Sequence, residues 1–432
     1  MKYYSIQNPN LAVSFRQAVL QGIAPDGGLY MPERYPVFSK EDMAAMRGLS
    51  FAELAFRIAK PFIDDIPDPK LEAICQKVFT FDTPLAPLDE RLSVLELFHG
   101  PTLAFKDFGA RFLAALLERY RADADKETFV LVATSGDTGS AVAQGFLGME
   151  HIKVALLYPS GKVSRIQEQQ LTTIGGNIFA FEVQGTFDSC QALVKRAFRD
   201  DDLKKVFNLS PANSINIARL LPQSFYYFRA LAQIPPAQRD KLYFVVPSGN
   251  FGNLTAGLMA AQMGLPVRKF VAAVNANRFF PDYLQKGKAE PRPALPTYSN
   301  AMDVGNPSNF VRIVDLFGND FKRLRSGIIS VSVDDEQTLQ AIAEIRRNYN
   351  YTIDPHGAVG YKAWKNFRNQ LSGGTTILLE TAHPGKFRDV VEKAVSKKIP
   401  LPERLAECLN KPKNAVLIGD NYDEFRERLL SL

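Results

Sequence analysis

From about residue 95 onward the chain alternates short apolar runs with stretches of helical spacing, and Gly or Ser stands at nearly every run's end. Ser93 to Leu97, Thr128 to Ala133, Val154 to Tyr158, Ile178 to Val183, Leu242 to Val246, Val267 to Val274 and Thr375 to Leu379 read as strands. Between them, Phe108, Phe112, Leu113, Leu116 and Leu117 mark one amphipathic helix. Further helices are expected over Ser140 to Phe146, Ser164 to Ile174 and Ser214 to Ala232, and after Asn253. Strands separated by helices require crossover connections, so the pattern predicts an α/β fold with parallel sheets, helices on both faces, and ligands beyond the strands' carboxyl ends.

Residues 1 to about 95 lack this repeat and read as a separate N-terminal unit. Ser14 and Gln17 form a possible capping box, Phe15, Ala18 and Val19 follow at helical spacing, and Gly22 supplies a stop. Ala24 to Pro32 reads as a turn-rich loop, and Pro281 to Pro307, rich in Pro and Asn, as a long irregular one. The balance of 52 Lys+Arg against 46 Asp+Glu leaves a charge of only +6 in 432 residues, with no dense basic run. That favours a small anionic ligand over nucleic acid. Cys75, Cys190 and Cys408 are far apart with no Cys-x-x-Cys, and the N-terminus has no apolar signal segment. These features predict a cytoplasmic, disulfide-free protein with no membrane span. None of the 4 histidines lies in His-Glu-x-x-His, so no metal is expected; His99 and His383 read as structural.

Three stretches carry chemistry. Lys106 stands between Ala104-Phe105 and Asp107-Phe108 at the start of a helix, where lost hydration favours a neutral amine able to attack a carbonyl. Ser248-Gly249-Asn250-Phe251-Gly252-Asn253 joins a strand to a helix, so its glycines, polar side chains and free N–H groups suit a phosphate. Neither Gly-x-Gly-x-x-Gly nor a nucleotide P-loop is present, which weakens a nucleotide reading. Ser135-Gly136-Asp137-Thr138-Gly139 likewise ends a strand and opens a helix, providing a second anion turn.

His99 to Gly109 resembles the cofactor-lysine segment of the threonine synthases, a family of fold type II pyridoxal-phosphate enzymes. Val13 to Pro32 resembles their N-terminal segment, and the likeness extends to Phe387 through each motif in order. The resemblance implies an N-terminal unit over 1–95 and a catalytic region over 96–432, with two interleaved β/α subdomains and pyridoxal 5'-phosphate at their interface. It further implies that Lys106 carries the cofactor and moves protons, that Ser248 to Asn253 hold its phosphate, and that Thr381 meets its pyridine nitrogen. Ser135 to Gly139 would receive the substrate carboxylate, and Asn213, Ser214 and Arg219 the substrate phosphate. One branch of the family has Asn at the position of Asp137, whose negative charge would repel the cofactor's phenolic oxygen unless one of the two carried a proton. The implied substrate is O-phospho-L-homoserine, turned over to L-threonine and phosphate by a monomer or homodimer. The alternatives are a phospho-lyase releasing 2-oxobutyrate and ammonia, and a non-catalytic cofactor-binding protein.

Overall fold

The computed structural model describes residues 1–122, 125–134, 136–371 and 373–432, and its apolar runs assemble into two sheets. The larger has the order Ile328–Ser332, Val267–Val274, Leu242–Pro247, Thr375–Glu380, Leu92–Glu96, Leu85–Pro87, parallel except for its last pair. The second has the order Val416–Ile418, Ile178–Val183, Ile152–Pro159, Thr128–Ala133, Asn208–Pro211 and is parallel throughout. This is the expected α/β class. Every residue of Thr128–Ala133, Leu242–Pro247 and Thr375–Glu380 is buried, as strands covered on both faces must be.

Several boundaries differ from expectation. Residue 95 falls inside the strand Leu92–Glu96, which pairs with Leu85–Pro87. The antiparallel hairpin at the edge of the large sheet is therefore made from residues expected in the N-terminal unit. That unit has its own antiparallel sheet, Ala12–Ser14, Lys2–Ser5, Tyr30–Pro32, so part of the expected Ala24 to Pro32 loop is strand. Pro281 to Pro307 begins inside the helix Phe279–Lys286 and becomes irregular only beyond it. The expected helix Ser214 to Ala232 is broken into Ile217–Leu220, a 3₁₀ turn Leu221–Ser224, and Phe225–Gln233. Pro222, which lacks the donor an α-helix needs, lies in that turn. A further short strand, Val416–Ile418, follows Thr375–Glu380.

The helix Lys106–Arg121 is fixed from beneath by aromatic rings. Phe108 lies 5.2 Å from Phe51 and Phe112 is 5.9 Å from Phe79, centroid to centroid, so the N-terminal unit packs directly under the lysine's helix. Among the described residues no helix is long and apolar enough to cross a membrane.

Candidate active site

Strands from both sheets deliver the chemically marked stretches to one place. Leu242–Pro247 ends at Ser248, its neighbour Thr375–Glu380 at Thr381, and in the other sheet Asn208–Pro211 leads to Ser214. Their carboxyl ends surround a cleft with Lys106, Asp137, Ser214, Arg219, Thr381 and all of Ser248 to Asn253 on its wall.

The loop Ser248 to Asn253 is braced from within. Asn253 Nδ2 donates to Pro247 O at 2.7 Å, Ser248 Oγ donates to Asn253 Oδ1 at 2.5 Å, and Asn250 Nδ2 donates to Ser214 Oγ at 2.7 Å. Phe251 takes the left-handed conformation, φ 58°, to bring the chain into the helix Gly252–Gln262, a strained geometry for a bulky residue. Among the described residues the backbone N–H groups of Gly249 to Asn253 have no hydrogen-bond partner. Five free donors at the start of an 11-residue helix make a site for an anion. A Cβ on Gly249 would lie 2.6 Å from Met302 Cα. Gly249→Ala should therefore weaken anion capture by about tenfold or more, read as the Kd for pyridoxal 5'-phosphate, because backbone must shift to admit the methyl.

Lys106 faces this loop across the cavity. Its segment is stitched to the strand end: Phe105 N–H donates to Thr381 O at 2.9 Å, His383 N–H donates to Leu103 O at 3.0 Å, and Ala104 and Ala382 form an antiparallel bridge. Among the described residues Lys106 has no ion-pair partner, and its Nζ lies 4.5 Å from the centre of the Phe105 ring. Burial, helped by the charge of Arg219 and opposed by that of Asp137, pushes its pKa down to about 8. Roughly a tenth of the amine is thus neutral at pH 7, far more than for an ordinary lysine.

Arg219 is 2 % exposed, and its Nη1 donates to Ala212 O while Nε has no partner. Burial lowers its pKa to about 10, with Asp107 opposing. A buried guanidinium with an unused donor on a cavity wall is suited to an incoming anion. Ser214 stands beside it, accepting from Asn250 Nδ2 and, at 3.3 Å, from Asn309 Nδ2. Asn213 does not reach the wall; its Oδ1 is buried without a partner.

The turn at 135–139 departs from expectation. Ser135 lies outside the described residues, and Gly136, Thr138 and Gly139 do not line the cavity. The N–H groups of Gly136 and Gly139 are taken by Thr134 Oγ1, at 3.0 and 2.8 Å, and so are withdrawn from the anion role. Among the described residues of the turn, Asp137 alone reaches the wall. Burial would raise its pKa, but Lys386 Nζ at 2.8 Å, with Gln167 Nε2 at 3.3 Å, holds it below the ordinary value. Lys386 is fully buried and also donates to Thr102 O at 2.9 Å. Asp137 is therefore ionised, with its countercharge supplied by the chain itself. Lys386→Met should cost roughly 3–5 kcal/mol near neutral pH by stranding that carboxylate. Protonation relieves a stranded carboxylate, so the deficit should shrink in acid; urea unfolding at the two pH values tests this.

Residues 79–381 match the pyridoxal-phosphate dependent enzyme family, residues 2–79 the threonine synthase N terminus, and residues 357–427 the threonine synthase C-terminal family. The threonine synthase of Escherichia coli is 46% identical over 414 residues, covering 95% of each chain. The chain belongs to the threonine synthase family. The crystal structure of threonine synthase from Escherichia coli superposes with a TM-score of 0.93 at 44% identity, covering 100% of both chains. A PLP-bound threonine synthase from Brucella melitensis superposes at 0.92 with 34% identity, covering 99% of this chain and 98% of that one.

The residues present fit the cofactor of this threonine synthase family member: a lysine with a lowered pKa opposes a loop of free N–H donors. The cavity also holds residues that sequence reasoning did not single out, among them Gln223, Met302 and His356. Gln223 Nε2 donates to Arg219 O at 2.8 Å, and its Oε1 is unpartnered. His383 caps a turn by accepting from Gly385 N–H at 3.0 Å, and His99 pairs with Glu96 at 2.7 Å.

Proposed function

We propose that the chain converts O-phospho-L-homoserine and water into L-threonine and phosphate, with pyridoxal 5'-phosphate as cofactor. The observation that carries this reading is one cavity shared by the Lys106 amine, the free N–H groups of Gly249 to Asn253, and the unpaired Arg219 Nε. When bound, pyridoxal 5'-phosphate supplies an electron-withdrawing ring that acidifies the substrate hydrogens near its amino group. Ser248 to Asn253 hold the cofactor phosphate, and the Thr381 hydroxyl offers a neutral partner to the ring nitrogen. Lys106 Nζ takes the proton from the substrate Cα and returns it at the end, a task that a pKa of about 8 suits. Arg219 and Ser214 grip the substrate phosphate, and Arg219 supports the charge that grows on it as the bond to Cγ breaks. Asp137, neutralised by Lys386, keeps the opposite wall polar without adding net charge.

In this reading an N-terminal unit precedes a catalytic region of two β/α subdomains, and the cofactor sits between their sheets. The three cysteines are free, which supports a reducing, cytoplasmic setting. The deciding experiment incubates the cofactor-loaded protein with O-phospho-L-homoserine and measures phosphate, threonine and 2-oxobutyrate together. Phosphate and threonine in equal amounts are expected; phosphate with 2-oxobutyrate would make the protein a phospho-lyase, and no phosphate would sink the substrate assignment.

A further inference from the structure

His356 lines the cavity, yet no step of the reaction proposed above uses it. It stands in the first turn of the helix Pro355–Phe367 and is 2 % exposed. Its Nδ1 meets Asp354 Oδ2 at 2.7 Å, and its Nε2 accepts from Ala301 N–H at 3.2 Å. Asp354 is itself fixed, since its Oδ1 accepts from Gly357 N–H at 2.6 Å and its own N–H donates to Glu380 Oε1 at 2.7 Å. The Phe387 ring packs edge-on against the imidazole at 4.7 Å. The ring is thus braced, and in its neutral form, protonated at Nδ1 towards Asp354, its Nε2 acceptor is aimed at one backbone amide.

That amide belongs to the single turn Asn300–Met302, set in the irregular stretch between the helices Phe279–Lys286 and Phe310–Leu316. Ala301 and Met302 form part of the cavity wall, and Met302 packs on Gly249 so closely that no Cβ fits between them. Asn300 Nδ2 reaches Gln167 Oε1 at 3.4 Å, and Gln167 in turn holds Asp137. The turn therefore touches the glycine loop on one side and the Asp137 network on another, and it has little regular structure of its own to hold it there.

We infer that His356 is a positioning residue that seats the Asn300–Met302 turn against the glycine loop and so sets how firmly the cofactor phosphate is held. The inference rests on the reading of Ser248 to Asn253 as the cofactor cradle. A side chain offering an acceptor where Nε2 stands preserves the seat, whereas one that reaches only as far as Nδ1 keeps the Asp354 contact and loses it.

The test is the affinity of the apoprotein for pyridoxal 5'-phosphate, measured by equilibrium dialysis for wild type, His356→Gln, His356→Asn and His356→Ala. The amide oxygen of Gln extends to the Nε2 position, so that variant should bind within about twofold of wild type. Asn and Ala should bind about fivefold to tenfold more weakly, the effect of one lost buried hydrogen bond. Equal affinities for the Gln and Asn variants, whether both tight or both weak, would overturn the inference, and this comparison decides even if the Ala variant fails to fold. Failure of wild type itself to bind would instead overturn the cofactor reading.

Discussion

Lys106→Ala is expected to lower threonine formation by at least about 10⁴-fold, since it removes both the carbonyl-attacking amine and the base. Two features of the structure make that loss specific to chemistry. The cradle Ser248 to Asn253 is braced by Asn253, Ser248 and Ser214, none of which depends on the lysine side chain, so the variant should still bind pyridoxal 5'-phosphate. The backbone at Phe105 is tied to Thr381, so the helix start should stay in place. Lys106→Arg should be equally inactive, because a guanidinium does not deprotonate near neutral pH. In the wild-type apoprotein, covalent capture of the cofactor's aldehyde should quicken as pH rises through about 8 and level off above it, following the neutral fraction of the amine. Stopped-flow absorbance gives that profile. A rate independent of pH across this range would mean that burial does not control the amine, and substantial threonine formation by Lys106→Ala would remove Lys106 from the mechanism.

The features legible from sequence are those with a local cause. Ser14, Gln17 and Gly22 bound the helix Phe15–Gln21 because capping is settled within one turn of chain, and the capping box forms as expected. Thr128–Ala133, Ile178–Val183 and Val267–Val274 match their expected spans because strands inside a sheet are largely apolar where both faces are covered, and the charged Glu182, Arg268 and Lys269 fall at positions that are not buried. Edge strands carry no such requirement. Ile328–Ser332 is interrupted by polar Ser330 and Ser332, and Val416–Ile418, though apolar, is only three residues long, so neither is an apolar run of ordinary strand length. Pro222 was a visible signal for the break in the expected helix after Ser214. Of the candidate site, Lys106 and the glycine loop are legible from their residues, whereas Arg219 and Thr381 are marked only by the family resemblance. Lys386 is marked by neither, because its importance lies in meeting Asp137 across the boundary between two sheets, a pairing made by topology. The engagement of the Gly136 and Gly139 amides is not legible for a related reason: only folding brings Thr134 Oγ1 to both.

Arg219→Ala should lower kcat/KM for O-phospho-L-homoserine by roughly 2–4 kcal/mol, about 30-fold to 1000-fold, through loss of charge-assisted bonds to the phosphate. The residue is buried, so part of the cost could fall on the fold, and the two contributions have different signatures. A structural loss should appear in urea unfolding and in cofactor affinity alike, whereas a loss of phosphate recognition leaves cofactor affinity unchanged and acts on the phosphorylated substrate. Arg219→Lys separates charge from geometry. It keeps a cation in the cavity but lacks the planar fork, so it should recover part of the lost kcat/KM without restoring it. Gly109 adds an independent route to the same site: a Cβ there would lie 2.5 Å from Arg219 O and 3.0 Å from its Nε. Gly109→Ala should therefore displace the guanidinium and lower kcat/KM in the same direction, with the arginine still present. If Arg219→Ala kept full activity while Gly109→Ala lost it, the phosphate would have to be held by groups other than Arg219, with Ser214 and the Asn250 side chain bonded to it the nearest candidates.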